Sequence, residues 1–330
     1  MAKTLIGLDI GNSDVKMARA RGGSAKLVAE RLPENLMKDN RIAAPELLAR
    51  FIKKTKSKSK LRGYRCAVIL PEYSTFFRRM SIPVMSAEKI ALNLPYEFRD
   101  YTGGESMNYN YDYIIERVNR DGAGNPVSID LVAAAAQKAV VKEYRDLLRR
   151  AGLRLTVALP REMALINLLH NKVKTGGEAD KEYCLVDIGH EHTRVYIFRG
   201  DALKASKIID LGCSRIDAAI SDKYNIDVYL AATYRDSNYE NALESEECRE
   251  VYERISLEIR KAVNFYSYDN QQNTLNDIYF CGGGADIKQL VDTITADVGF
   301  TSHPITNLLP KYGDDLAGLS RCAMAIGAVL

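Results

Sequence analysis

A chain of 330 residues exceeds what one small core accommodates and implies two lobes of about 150 residues each, with 46% hydrophobic residues to fill them. Lysine and arginine number 46 against 43 aspartates and glutamates, interspersed along the chain, so no global positive field points to nucleic acid. There is no run of about 18 apolar residues to cross a bilayer and no signal-peptide pattern. The six cysteines (66, 184, 213, 248, 281 and 322) lack Cys-x-x-Cys spacing and read as reduced, buried thiols of a cytoplasmic protein, whose membrane contact would be borrowed from a partner.

The first stretch with a pattern is Leu5 to Ala20, LIGLDIGNSDVKMARA. A strand runs into Asp9, a tight Gly11-Asn12-Ser13-Asp14 turn follows, and Val15, Met17 and Ala18 lead out again, a hairpin with one acid at its hinge. Gly11 lets the backbone turn without a Cβ clash, so the next amides point into one concavity that suits a phosphate. Asp9 is placed to hold Mg²⁺ through water, and Lys16 to reach a phosphate oxygen. With no Gly-Lys-Ser/Thr and no helix following, it is not a P-loop. A plain hairpin whose aspartate shapes its own turn explains the same letters. A strand near Leu27 to Arg31 and a helix from about Pro45 to Lys54 come next, with Pro45 at the first helical position. Lys53 to Arg62 then carries six positive charges in ten residues, which suits either an anionic membrane face or a solvated helix end. Cys66 to Leu70 is a short buried strand ended by Pro71.

From Phe76 to Gly152 the pattern changes. Ser86 caps a helix to about Leu94; Met107 to Val118 and Val127 to Ala135 are strands on either side of a Gly-rich turn; a helix with Val140, Tyr144, Leu147, Leu148 and Ala151 on one face stops at Gly152. The strand Arg154 to Leu159 and a helix from Arg161 to about His170 lead into the second half.

There, Tyr183 to Phe198, YCLVDIGHEHTRVYIF, superimposes on the first hairpin without a gap, setting Asp187 on Asp9, Gly189 on Gly11, Thr193 on Val15 and Arg194 on Lys16. His190-Glu191-His192 is a poor zinc site, because successive residues point in different directions. Ser214 caps a helix with Ile216, Ala219, Ile220 and Tyr224 inward, and Glu244 to Asp269 is the longest helical pattern. Finally, Asp277 to Cys281 reads as a strand, Gly282-Gly283-Gly284 as its exit and Asp286 to Ile294 as a helix. Three glycines in a row permit close approach by a flat ligand such as adenine.

Two Asp-x-Gly hairpins, one per half, followed by strand-GGG-helix, form a specific order. With DIGNSDVK at Asp9 to Lys16, DIGHEHT at Asp187 to Thr193, EIRKAVNFY at Glu258 to Tyr266, FCGGGA at Phe280 to Ala285 and AMAIGAVL at Ala323 to Leu330, the chain resembles the PilM family of type IV pilus assembly proteins, in the FtsA-like branch of the actin-like ATPase superfamily. The resemblance implies an α/β fold: a duplicated, actin-like (ribonuclease H-like) two-lobed ATPase with an inserted small α+β subdomain of FtsA/PilM type. Residues 1–75 would begin the first lobe, 76–152 form the inserted, partner-binding subdomain, 153–182 complete the lobe and connect, 183–310 form the second lobe, and 311–330 return a helix to the first.

The same resemblance implies ATP or ADP with Mg²⁺, bound by Asp9, Gly11, Asn12, Ser13, Lys16, Asp187, Gly189, Thr193, Gly282, Gly283 and Gly284, with the metal held through water by Asp9 and Asp187. Glu162 falls where the superfamily often places an acid that orients attacking water; it equally suits an acid complementing a helix dipole. The implied partner is a PilN-like inner-membrane pilus protein, bound through its cytoplasmic N-terminal peptide, and self-association stays open. A small-molecule kinase of the superfamily would need a sugar pocket and an acid acting as base, for which no motif is present. An FtsA-like division protein would carry its own C-terminal amphipathic membrane helix, where this sequence reads AMAIGAVL. His190 and Glu191 depart from the family's small residues beside the γ-phosphate. A carboxylate at about 4 Å from a phosphate charge repels by about 4 kcal/mol at an effective dielectric near 20, so hydrolysis is expected to be slow or absent.

Overall fold

The computed structural model describes residues 5–21, 24–176, 178–309 and 318–330. Strand β1 (Ile6–Ile10) is buried along its whole length, as expected of a strand covered on both faces. It pairs antiparallel with β2 (Asp14–Arg21), Asp9 opposite Lys16, and β2 pairs in turn with β3 (Ser24–Arg31). A two-residue ladder, β4 (Met37–Lys38) with β5 (Arg41–Ile42), turns through Asp39 and Asn40 at positive φ. Helix α1 (Pro45–Lys58) lays Leu48, Ala49, Ile52 and Thr55 inward and leads to β6 (Arg65–Ile69), parallel to β1.

The chain then makes β7 (Thr75–Pro83), α2 (Ala87–Glu97), α3 (Arg99–Thr102), β8 (Tyr109–Arg120), β9 (Pro126–Gln137) and α4 (Lys138–Arg150), and β10 (Arg154–Leu159) completes a sheet of order β10-β6-β1-β2-β3. Helix α5 (Arg161–Gly176) crosses to the second half. There follow β11 (Glu182–Ile188), β12 (Thr193–Arg199), β13 (Ala202–Ile209), α6 (Cys213–Tyr224), α7 (Val228–Ser237), α8 (Glu246–Asp269), β14 (Asp277–Cys281), α9 (Lys288–Val298), β15 (Thr301–Pro304) and α10 (Ala323–Gly327). The second sheet, β13-β12-β11-β14-β15, repeats the first: an antiparallel triplet, then two parallel strands, with Asp187 opposite Arg194 as Asp9 is opposite Lys16. The sequence repeat is thus a repeat of topology and register.

Between β6 and α4, the sheet β7-β9-β8 packs Ile82, Ile129 and Leu131 on Ile90, Leu94 and Phe98 of the α2 region, a core of its own. Strand β7 has no counterpart in the sequence reading, which had two strands here. Helix α4, grouped with this insertion by the sequence, instead buries Tyr144, Leu147 and Leu148 with Leu48, Ile52 and Val68 of the first lobe. Its apolar stripe has the same period in either setting, so pattern alone did not assign its partner.

The two lobes share a third core in which Leu165 and Leu168 of α5 meet Leu185, Tyr196 and the α10 residues Met324 and Ile326. Backbones touch there: a Cβ on Gly7 would lie 1.8 Å from the Ala325 carbonyl oxygen, and one on Gly327 would lie 2.2 Å from that of Ala164. Helix α10 therefore docks on β1 and α5, while residues 311–317 of the expected C-terminal segment lie outside the described residues. At α6 the expected cap differs. The helix begins at Cys213, one residue before Ser214, and has no side-chain cap.

Candidate functional site

The C-terminal ends of β1 and β11 meet at a cleft of about 570 Å³ between the lobes. Both turns close alike, Gly11 N donating to Asp14 O and Gly189 N to His192 O, each at 2.9 Å. The acids that precede them, Asp9 and Asp187, are 2% and 5% exposed. Between them stands Arg161, the first residue of α5. Its Nη2 donates to Asp9 Oδ1 and its Nη1 to Asp187 Oδ2, both at 3.1 Å, and its side chain is 14% exposed. Lys16 Nζ lies 3.9 Å from Asp9 Oδ2. Arg194, the register equivalent of Lys16, turns instead to Glu72 in the first lobe, Nε to Oε1 at 2.6 Å.

These contacts set the charge states. Burial pushes the Asp9 carboxyl up, but Arg161, Lys16 and Arg194 more than reverse this and hold it below the usual carboxylate range. Burial acts against the Arg161 cation, and Asp9 and Asp187 outweigh it, so that guanidinium is held well above its ordinary value. Glu72 is half-buried; burial pushes its carboxyl up, but it titrates low because Arg194 donates to it. Two carboxylates and two cations thus already balance at the acid pair. A hydrated Mg²⁺ bridging Asp9 and Asp187 needs the space that the guanidinium fills, so the expected metal position does not fit this arrangement.

Of the residues the sequence named, Asp9, Gly11, Asn12, Ser13, Lys16, Asp187 and Gly189 line the cleft. The side chains of the first turn are engaged within the protein: Asn12 Oδ1 accepts from Asn40 N at 3.1 Å, and Ser13 Oγ donates to Asp14 at 2.6 Å. Thr193 does not line it; like Val15, its register equivalent, it is wholly buried on the core side of its sheet. Gly282, Gly283 and Gly284 do not line it either. Gly282, at φ +87°, abuts Ile188 O, where a Cβ would come within 2.4 Å, and a Cβ on Gly284 would come within 2.2 Å of the Ile188 side chain; of the three, only Gly283 faces open space. Two of these glycines therefore allow close packing against the end of β11.

Glu162 is half-buried beside the cleft but does not line it, and burial raises its carboxyl above the usual range. Glu191 leans on His190 Nε2 at 3.4 Å and receives the Ser214 hydroxyl at 3.5 Å. The α6 amides of Cys213 and Ser214 are taken by Gly189 O and His190 O. Sequence reasoning missed Arg161 and Glu72. Arg161 did leave a sign, since a cation in a helix's first turn stands at the wrong end of the dipole and needs an anion nearby.

With this geometry in hand, comparison with solved structures identifies the fold. The PilM-PilN type IV pilus biogenesis complex superimposes with a TM-score of 0.81 at 22% identity, covering 98% of this chain and 97% of that one. MreB5 of Spiroplasma citri bound to ADP gives 0.53 at 11% identity, over 99% and 95%. The archaeal actin homolog Ta0583 gives 0.52 at 12% identity, over 98% of each chain. The fold is accordingly that of the actin-like ATPases, as expected. Residues 7–310 match the family described as type IV pilus assembly protein PilM, and the chain belongs to that family.

Proposed function

We propose that this actin-like protein of type IV pilus assembly is a nucleotide-binding adaptor, held at the cytoplasmic face of the inner membrane by a PilN-like partner. The observation that carries the nucleotide reading is the pair of register-matched hairpins opening on one cleft, with Gly11, Asn12, Ser13 and Gly189 lining it and Lys16 supplying a cation. ATP or ADP is the ligand class, in keeping with the ADP bound to MreB5 on the same fold. Hydrolysis is slow, because the acids buried between the two turns are already held by cations. Asp9 and Asp187 are engaged by Arg161 and Glu72 by Arg194; Glu191 contacts His190, Glu162 does not line the cleft, and Asp39 and Asp210, which also line it, are exposed to solvent. Phosphoryl transfer to water depends on that positioning.

The partner reading rests on the segment inserted between β6 and α4, which exposes Leu92, Tyr96, Met107, Ile114 and Ile115 around a core of its own. A short N-terminal peptide of a PilN-like protein would order on binding there.

The test is to denature the purified chain and identify any nucleotide released, then follow thermal stability with added ATP and ADP. Ligand at about 100 times its dissociation constant should stabilise by about 2.7 kcal/mol, less in Lys16→Ala. Turnover should stay below about one per minute, far under ordinary enzymes. No shift with either nucleotide sinks the nucleotide reading. Hydrogen-exchange protection by a PilN-like peptide confined to the second lobe sinks the partner reading.

A further inference from the structure

The end of the first-lobe sheet opposite the cleft carries cations that the reading above does not use. The parallel strands β6 and β10 pair in register with Arg65 opposite Arg154, which brings two arginines together at the strands' first residues. A shallow polar cavity of about 340 Å³ is lined there by Tyr64, Arg65, Arg154, Leu155 and Thr156, without a carboxylate. Arg65 Nε donates to Thr156 Oγ1 at 3.4 Å. In the loop before β6, Leu61 is buried and Gly63, at φ +122°, passes beside Ile6, so Lys60 and Arg62 are turned outward. On α1, burial of Ile52 and Thr55 leaves Lys53 and Lys54 on the outer face. Within the basic run Lys58 pairs with Glu30 at 3.0 Å. Lys53, Lys54, Lys60, Arg62, Arg65 and Arg154 have no carboxylate partner among the described residues, and Tyr64 is 59% exposed in their midst.

We propose that this end of the first lobe docks directly on an anionic phospholipid bilayer, with headgroup phosphates at Arg65 and Arg154, the flanking cations against the surface and Tyr64 at the interface. The cations are spread over an outer face with a single aromatic, and the chain's net charge is only +3, which disfavours a nucleic-acid groove. Each cation near an anionic membrane strengthens attachment about fivefold. Because Asp9 and Ile69 stand at the other ends of β1 and β6, the lipid contact leaves the cleft open, and it adds to whatever a membrane partner supplies.

The full chain, with no partner present, is sedimented with vesicles of phosphatidylcholine alone and of phosphatidylcholine mixed with phosphatidylglycerol. Binding is expected only to the phosphatidylglycerol vesicles, weakening as salt screens it. Lys60→Gln with Arg62→Gln, and Arg65→Gln with Arg154→Gln, should each lower the partition coefficient about 25-fold, at about fivefold per cation. Arg249→Gln, on α8 of the second lobe, should leave it unchanged. Should the Arg65/Arg154 variant fail to fold, the exposed Lys60/Arg62 variant carries the test. Equal binding to both vesicle types, no binding to phosphatidylglycerol at low salt, or full binding by the folded double variants overturns the proposal. So does release by inorganic phosphate at an ionic strength where chloride releases nothing, which would assign the cavity to a free phosphate species.

Discussion

Removing the Arg161 guanidinium should destabilise the protein more than any other single change at the cleft. Arg161→Met keeps the length and apolar stem of the side chain but strips the guanidinium from Asp9 and Asp187, whose side chains are 3% and 7% exposed, leaving Lys16 3.9 Å from Asp9. Breaking a buried ion pair by deleting one partner costs about 3–5 kcal/mol, since the remaining charge stays desolvated. With an unfolding entropy of roughly 2.1 cal/mol/K per residue, a chain of this length should then melt about 4–7 °C lower. Urea and thermal unfolding at neutral pH measure this directly. The decisive arm is a double-mutant cycle: in an Asp9→Asn, Asp187→Asn background the same arginine replacement should cost at most about 1 kcal/mol, because no charge is left to strand. An equal loss in both backgrounds would show that Arg161 acts through packing of the α5 terminus, and the electrostatic account of the acid pair would be wrong.

Two further outcomes follow from the same geometry. Burial holds the His190 and His192 imidazoles below their ordinary range; the unfolded chain therefore protonates first, and their contribution is complete above about pH 6.5 and falls as pH drops below it. Burial pushes Asp217 to about 6, which acts in the opposite sense over the lower part of that window, so the quantity to measure is the difference between wild type and His190→Gln. The variant should lose less stability between pH 7 and about pH 5.5, and superimposable pH profiles would refute the assignment. Among the three adjacent glycines, Gly282→Ala forces a Cβ to 2.4 Å from Ile188 O and 2.6 Å from Asp187 Oδ1 at φ +87°, whereas Gly283→Ala meets nothing within 4 Å. The first should cost at least about 1–3 kcal/mol and the second within about 0.5 kcal/mol by urea unfolding, and a tolerated Gly282→Ala would mean the turn can retreat from the second hairpin.

Much of the fold was written in local pattern. The hairpins at Asp9 and Asp187 repeat letter against letter, and a strand's side chains alternate with period two, so aligning the two stretches also aligned their registers, Lys16 with Arg194 and Val15 with Thr193. That alignment already implied that Thr193 points into the core as Val15 does. Helix α8 and the strand leading into the glycine turn were legible for the same reason, while α7, β13 and β15 left no periodic trace and β7 was hidden in a run without clean alternation. What sequence could not supply were meetings between distant segments. Arg161 and Asp9 stand 152 residues apart in the chain, and Arg194 and Glu72 stand 122 apart. Whether the acids face a metal or a guanidinium, which glycine yields to a neighbouring backbone and which lobe receives the stripe of α4 are all settled by where the two sheets come to rest on α5 and α10. Local propensity and periodicity act over a few residues; charge pairing and steric exclusion act over a few ångströms, and only the folded chain turns the one distance into the other.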